Sequence, residues 1–266
     1  MGNWKRKEHI QNCMINRVKV VSIIGSYRNA NSYSRRSAIY FGNALNHYGE
    51  CINEILLPNE LQINNCIGCC RCFSNGKCSL TDDMNIVISK MMASDIVIFS
   101  VPVYFHQISG YMKTLIDRLA FLSHIMYFLG KIGVVIINTD NNGSAEAEHY
   151  LKEVQEYLGF SCKSCFTVYT NNLSEEAHRS IIKHEVINLV YELHDGTFAS
   201  ELQHQFYKLQ MNSMKNRPNQ NNEKIMWQNL FSNKDEVGCA IKYKMSDSLK
   251  EWIHNSFTIF EKDQLF

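Results

Sequence analysis

The sequence predicts an α/β protein with a doubly wound parallel sheet of five strands, followed by a mostly helical extension. Short β-branched apolar runs alternate along the chain with longer segments whose apolar residues recur at helical spacing. Alternation of this kind is typical of βαβ units, which build parallel sheets. The composition is globular as well, since 45% of the 266 residues are hydrophobic and 20% are charged.

The first predicted strand is a short β-branched apolar run that stops at Gly25. The five strands are Val18–Ile24, Cys51–Leu57, Asp95–Val101, Lys131–Asn138 and Ser161–Thr170. Apolar spacing and capping residues predict the helices. These are Ser32–Tyr48, a helix from Asp82 or Asp83 to Met92, Ser109–Ser123, Ser144–Leu158 and Ser174–His194. Right-handed crossovers favour the flavodoxin-like strand order 2-1-3-4-5, with a ligand site at the carboxyl ends of strands 1 and 3.

The chain divides into three predicted parts. Residues 1–16 are polar and predict a loose arm, whereas residues 17–194 form the α/β domain. Residues 195–266 are predicted to pack on that domain as an extension, with an Asn-rich loop at Asn212–Glu223 and a helix at Leu249–Phe260.

Charge and hydropathy exclude several classes of protein. The 27 basic and 26 acidic side chains leave a net charge of +1, so no basic field is expected to hold nucleic acid. The longest apolar runs, Ala93–Phe105 and Ile132–Ile137, are too short or too interrupted to cross a membrane. No secretory signal is apparent at the N-terminus, and we expect a cytoplasmic protein.

The loop after the first strand predicts an anion site. It carries Ser26, Arg28, Asn31 and Ser32 directly before a helix, where backbone N–H groups and the helix dipole favour negative charge. This donor set suits a phosphate monoester, and the loop is neither Gly-x-Gly-x-x-Gly nor a P-loop. A polar turn with Ser32 as the helix cap explains the same residues.

Two segments carry a resemblance to a known family. The loop Gly25-Ser-Tyr-Arg-Asn-Ala-Asn-Ser32 is similar to the phosphate loop of flavodoxin-like NAD(P)H-dependent FMN reductases. The segment from Ser94 through Pro102-Val103-Tyr104 to Asp117-Arg118 resembles a second conserved stretch of that family. The resemblance covers about residues 17–172 and implies bound FMN as the cofactor.

In that family the Pro-x-Tyr segment wraps the flavin ring. The resemblance therefore assigns cofactor contacts to Pro102, Val103 and Tyr104. The residues themselves agree, since Tyr104 and Phe105 offer flat apolar surface for a ring. The backbone amides from Val103 through His106 to Gln107 are expected to hydrogen-bond the polar edge of the flavin. We expect Pro102 to end the third strand and turn the chain at the sheet edge. The loop after the fourth strand adds Thr139, Asn142 and Gly143, although a solvated turn explains that loop nearly as well. Because the flavin carries the chemistry, no catalytic acid, base or nucleophile is predicted.

The cysteine loop is the sharpest motif of the chain. Cys66, Cys69, Cys72 and Cys78 have the close spacing of [4Fe–4S] ligands, with Cys70 as a fifth thiol among them. Zinc ribbons use two separated Cys-x2-Cys pairs. The second pair here, Cys162 and Cys165, lies on a predicted strand where the two thiols are expected to face opposite ways.

The same spacing resembles the iron–sulfur flavoproteins, a branch of this family. The resemblance implies a redox flavoprotein with FMN and a [4Fe–4S] relay, an NAD(P)H or ferredoxin-like electron donor, a small-molecule or protein acceptor, and a homo-oligomer. Aromatic residues Phe121, Tyr127 and Phe128 favour a surface for a second copy, unless the extension covers them. Three alternatives stay open: a cluster-free NAD(P)H-dependent FMN or quinone oxidoreductase, a non-enzymatic electron carrier, and a zinc-stabilised binding module.

Overall fold

The computed structural model describes residues 17–195, 198–231 and 245–263, so the predicted arm at 1–16 lies outside the described residues. The strands are β1 (Val18–Ile24), β2 (Cys51–Leu56), β3 (Ile96–Tyr104), β4 (Gln107–Ile108), β5 (Ile132–Thr139) and β6 (Ser161–Tyr169). The helices are α1 (Tyr33–Leu45), α2 (Arg71–Asn75), α3 (Met84–Ala93), α4 (Gly110–Ser123), α5 (Ser144–Leu158), α6 (Glu175–His194), α7 (Glu201–Lys215), α8 (Asn222–Phe231) and α9 (Asp247–Asp263).

The sheet confirms the predicted order. Five parallel strands lie in the order β2-β1-β3-β5-β6, and the short β4 pairs antiparallel with β3 as a sixth strand. Helices cover both faces. The core on one face includes residues of α1 and α6, and the core on the other includes residues of α3, α4 and α5. The structure is therefore a doubly wound α/β fold, which places ligand loops at the carboxyl edge of the strands.

The third strand is longer than predicted, and the expectation that Pro102 ends it is wrong. β3 runs on to Tyr104, with Pro102 opposite Asn138 of β5. On its other side, β1 stops pairing at Ser100. Because Pro102 lies beyond the end of β1, its missing N–H removes no hydrogen bond from that side of the sheet.

The segment after α6 is more helical than predicted. Asn212–Glu223 was expected to be a loop, but α7 continues to Lys215 and α8 begins at Asn222. A capping box at Ser200 and Gln203 starts α7, and the rings of Tyr207, Trp227 and Phe231 stack on one another. Burial of these rings outweighs the low helix propensity of the Asn residues.

Of the three aromatic residues expected at a subunit surface, two belong to the core, and Tyr127 is half-buried against it. Phe121 and Phe128 are buried, and the ring of Phe128 stacks on Phe160 at a centroid distance of 4.8 Å. The exposed aromatic side chains lie elsewhere, among them Tyr104 and Phe105 of the β3–β4 turn. Among the described helices, none is long and apolar enough to cross a membrane.

Candidate functional site

A cleft opens at the carboxyl edge of the sheet, where the loops after β1, β3, β5 and β6 meet. Its cavity volume is about 140 Å³, and it is open to solvent on one side. The lining residues are Ser26, Arg28, Ser32, Tyr33, Ser34, Pro102, Val103, Tyr104, Asn138, Thr139, Asp140 and Thr170. This is the switch point of the strand order, where doubly wound folds bind ligands.

Seven of the predicted cofactor residues line this cleft: Ser26, Arg28, Ser32, Pro102, Val103, Tyr104 and Thr139. The other six lie outside the lining: Asn31, Phe105, His106, Gln107, Asn142 and Gly143. Sequence reasoning missed Tyr33, Ser34, Asn138, Asp140 and Thr170. Thr170 directly follows the last parallel strand. The rule that ligands bind at the carboxyl ends of parallel strands could therefore have pointed to Thr170.

The β1–α1 loop presents donors to the cleft. Ser26 and Ser32 are both buried, and the Ser26 hydroxyl oxygen accepts a hydrogen bond from the Arg28 N–H at 3.3 Å. Ser32 caps α1, since its side chain accepts from the Arg35 N–H at 3.3 Å. The first turn of a 13-residue helix therefore faces the cleft, with the Arg28 cation beside it.

The opposite wall is a β-hairpin. Tyr104 pairs with Gln107, and the two residues between them, Phe105 and His106, have φ angles of +48° and +61°. Two successive residues with positive φ define a type I′ turn, which joins antiparallel strands tightly. A Cβ at Gly143 would lie 2.8 Å from the His106 Cα, so only glycine lets the next loop approach the hairpin so closely.

A buried chain of polar groups lies beneath the cleft. The Ser37 hydroxyl donates to Asn138 Oδ1 at 2.8 Å, and His178 Nε2 lies 2.7 Å from the Ser37 oxygen. Burial, with the nearby Arg36 and Arg179 charges, lowers the pKa of His178 to about 4, so this ring is neutral at pH 7. No sequence signal pointed to His178, because a lone histidine on a helix has no characteristic spacing.

The cysteine loop leads into the short helix α2. Cys66, Cys69 and Cys70 are exposed, whereas Cys72 and Cys78 are half-buried. Burial raises the pKa of Cys72, and the nearby Cys78 and Cys66 thiols raise it further. The pKa of Cys69 is lowered, first by its contact with the Ser79 hydroxyl at 3.5 Å. The Cys70 thiol contacts the carbonyl of Gly68 instead.

The four predicted ligands fit a metal cluster by donor chemistry, since thiolates are the ligands that iron–sulfur clusters use. Cys72 lies close enough to Cys66 and Cys78 for them to affect it electrostatically, whereas Cys69 is turned towards Ser79. Within the described ranges, no three His, Cys, Asp or Glu side chains converge as a ready metal site.

A buried ion pair fixes both ends of the cysteine loop. The Arg118 guanidinium of α4 donates to both oxygens of Asp82 at 2.6 and 3.0 Å, and it donates to the Asn64 carbonyl at 2.7 Å. Asp82 accepts further from the N–H groups of Asn64 and Met84. These bonds, with that of Arg118 foremost, lower the pKa of Asp82 to about 2. Asp82 and Arg118 therefore act as a clamp on the segment that carries the cysteines.

The expectation that Cys162 and Cys165 face opposite ways is wrong. The pairing of β5 with β6 shifts between Gly133 and Val134, which leaves Lys163 as an extra residue in β6. Both cysteines consequently pack on the same core as α5. Burial raises the pKa of both thiols, to about 12 for Cys165 and well above the usual value for Cys162.

Comparisons with known proteins agree with this architecture. The model of the NADPH-dependent FMN reductase family matches residues 18–173. Two iron–sulfur flavoproteins are similar in sequence. That of Methanocaldococcus jannaschii is 32% identical over 48% of this chain and 66% of its own length. That of Archaeoglobus fulgidus is 32% identical over 45% of this chain and 54% of its own length.

The chain thus matches between about half and two thirds of the length of these relatives. Among solved structures, RosB with bound 8-demethyl-8-formylriboflavin-5′-phosphate has a TM-score of 0.55 at 10% identity, covering 76% of this chain and 88% of its own. A flavone reductase has a TM-score of 0.54 at 12% identity, covering 69% of this chain and 66% of its own. These structural likenesses concern the fold alone. The matched range spans the five parallel strands and the cleft loops, and the chain therefore belongs to the NADPH-dependent FMN reductase family.

Proposed function

We propose that this chain is an FMN-dependent oxidoreductase that takes electrons from NAD(P)H or a ferredoxin-like donor and passes them to a small-molecule or protein acceptor. The observation that carries the proposal is the cleft at the switch point, where Ser26, Arg28 and Ser32 surround the N-terminus of α1. The family match agrees with FMN as the group that this cleft takes.

The residues at the α1 end fit a single phosphate group. Two buried hydroxyls, one guanidinium and the free N–H groups of the first helical turn converge there, which is the donor set that a dianionic monoester needs. The cleft is open towards the hairpin, where Pro102, Val103 and Tyr104 offer apolar and aromatic surface for a flat ring.

FMN, when bound, supplies hydride and one-electron chemistry. The chain's own residues would then bind the flavin, orient it and shield it from water. Asn138 is held by Ser37 and by the N-terminal turn of α1, so its amide forms a fixed floor beneath the cleft. Thr139 donates to the Asn142 carbonyl at 2.8 Å, which fixes the shape of the neighbouring loop. None of these roles requires a side chain that gives or takes a proton.

We further propose that Cys66, Cys69, Cys72 and Cys78 hold a [4Fe–4S] cluster. The support is the four-thiol donor set, the clamp that holds its loop, and the similarity to two iron–sulfur flavoproteins. A cluster-free FMN or quinone oxidoreductase and a non-enzymatic carrier are the alternatives. We also propose that the protein is cytoplasmic and a homo-oligomer, in line with the exposed Tyr104 and Phe105 rings at the cleft mouth.

The FMN proposal is tested by Arg28→Ala combined with Ser32→Ala. Each lost charge-assisted hydrogen bond costs about 1.5–3 kcal/mol, so the dissociation constant of FMN should rise by about 10-fold to 150-fold per bond. Fluorescence titration of the apoprotein with FMN measures this constant. Arg17→Ala is the matched control, because Arg17 pairs with Glu50 at the amino end of β1. Unchanged FMN affinity in the double variant would remove the loop from the site.

The cluster proposal is tested by anaerobic reconstitution followed by iron and sulfide assays. Cys72→Ser should abolish most of the iron and the brown absorbance, while Cys70→Ser should retain both. FMN should stay bound in either variant, because its proposed phosphate site lies on another segment. If the wild-type protein holds full FMN but neither iron nor sulfide, the cluster proposal is refuted and the cluster-free oxidoreductase is the remaining proposal. Steady-state oxidation of NAD(P)H with an artificial acceptor separates an enzyme from a carrier.

A further inference from the structure

Helix α8 packs directly on the cysteine loop, although it lies far from it in sequence and outside the range of the family match. The Asn222 side-chain amide donates to the Ser74 carbonyl in α2 at 2.7 Å. Next to it, a Cβ at Gly76 would lie 3.2 Å from the Met226 sulfur. Gly76 has φ +69° and ends α2, so α8 covers the turn that leads to Cys78.

Glu223 is the charged centre of this contact. Its side chain is only 3% exposed, and a buried carboxylate is tolerated only where it is paired. Arg217, in the turn before α8, forms an ion pair with it, and His124 Nδ1 lies 3.2 Å from Glu223 Oε1. The two partners come from different parts of the chain and tie α8 to the end of α4.

His124 links Glu223 to the segment that carries the cysteines. Its ring stacks on Phe73 at a centroid distance of 4.8 Å, and Phe73 directly follows Cys72. A chain of direct contacts therefore runs from Glu223 through His124 to α2. Since α2 has only five residues, its own hydrogen bonds cannot hold it as a helix in water. Its conformation must come from what packs on it.

We propose that α8 braces the cysteine loop and that Glu223 is a positioning residue for Cys72 and Cys78. The Asp82–Arg118 clamp holds the loop where it leaves and rejoins the core, while α8 holds the helix between these points. One role of the C-terminal extension is then to keep the thiol-bearing segment ordered before any metal arrives. The consequence for a cluster rests on the proposed function, whereas the ordering of the loop does not.

Hydrogen exchange of the metal-free chain, read by mass spectrometry, tests the brace. Glu223→Gln removes the charge with little change of shape, and Asn222→Ala removes the bond to Ser74 without touching the buried pair. Each variant should speed amide exchange in residues 71–76 by about tenfold or more, as expected for the loss of one strong hydrogen bond. Alkylation of Cys72 by iodoacetamide should speed up in parallel.

Glu201→Gln is the matched control, because Glu201 is an exposed carboxylate in the first turn of α7. Exchange in β1 and α1 should stay at the wild-type rate in all variants. Unchanged exchange in residues 71–76, or an equal increase throughout the chain, would overturn the brace. Iron content after anaerobic reconstitution is measured separately. Loss of protection in a chain that never binds iron would uphold the brace and refute only the cluster.

Discussion

Replacing Asp82 with Asn should destabilise the protein more than any exposed charge substitution. The Asp82 and Arg118 side chains are 2% and 1% exposed, and two hydrogen bonds of 2.6 and 3.0 Å join them. Asn keeps the shape of the Asp82 side chain but loses its charge. Its NH2 group would face N–H donors whose hydrogen bonds the carboxylate accepts. Breaking one side of a buried ion pair costs about 3–5 kcal/mol, because the remaining charge stays buried without a partner.

The lowered pKa of Asp82 gives a second, independent value for the stability that this ion pair contributes. It falls from 3.8 to about 2 in the folded protein, a difference worth about 2 kcal/mol at neutral pH. Because the folded-state pKa is the lower one, this stabilisation is complete above about pH 4 and is lost as the pH falls towards 2. The two magnitudes agree on a loss of at least about 2 kcal/mol for the Asn variant at pH 7.

Urea denaturation of the wild type, Asp82→Asn, Arg118→Met and the double variant forms a complete cycle. We expect a coupling free energy of at least about 2 kcal/mol, with the double variant more stable than the sum of the single losses predicts. Asp117→Asn is the control, since the exposed Lys113–Asp117 pair should contribute less than about 1 kcal/mol. A loss in Asp82→Asn no larger than in the control, or a coupling near zero, would refute the reasoning.

Two other predictions follow from buried and exposed groups. Because the pKa of His178 falls from 6.5 to about 4 on folding, the unfolded chain binds the proton first, and about 3 kcal/mol of stability should be lost between pH 7 and pH 4. His178→Gln should remove this part of the pH dependence in urea titrations, and an identical pH profile in both proteins would contradict the assignment. Light scattering should give at least twice the chain mass of 30.8 kDa, because Tyr104 and Phe105 leave aromatic surface exposed beside the cleft. A mass near 31 kDa at micromolar concentration would contradict the homo-oligomer.

The parallel strands and their order were predictable because the central strands β1, β3 and β5 are nearly continuous apolar runs. Val18–Ile24 and Ser144–Leu158 even have their predicted bounds. The cleft followed from the same reasoning, since the fold places the loops after β1, β3 and β5 at one edge. These features depend on local patterns that the sequence displays directly.

The features that sequence reasoning missed depend on contacts between distant residues. The shift that turns Cys162 and Cys165 to the same face arises from one extra residue in β6, and alternation alone has no signal for it. Both ends of the Asn-rich segment are helical, up to Lys215 and from Asn222, because the rings of Tyr207, Trp227 and Phe231 pack together. The contacts of His178 and Glu223 likewise join elements that lie far apart in the sequence.

The β3–β4 turn gives a last prediction, because its backbone conformation disfavours the two residues that occupy it. A type I′ turn favours Asn-Gly, whereas this chain places Phe105 and His106 at φ +48° and +61°. The Phe105 side chain is 99% exposed, so folding gains almost nothing from burying it. Phe105→Asn with His106→Gly should therefore raise the free energy of unfolding by about 1–2 kcal/mol.

Strained residues of this kind tend to persist at functional sites, so we expect weaker FMN binding or a smaller assembly in the same variant. Urea denaturation, FMN titration and light scattering separate these effects. Lower stability in the double variant would show that the turn is not strained, and higher stability with unchanged FMN affinity and mass would remove Phe105 from any functional role.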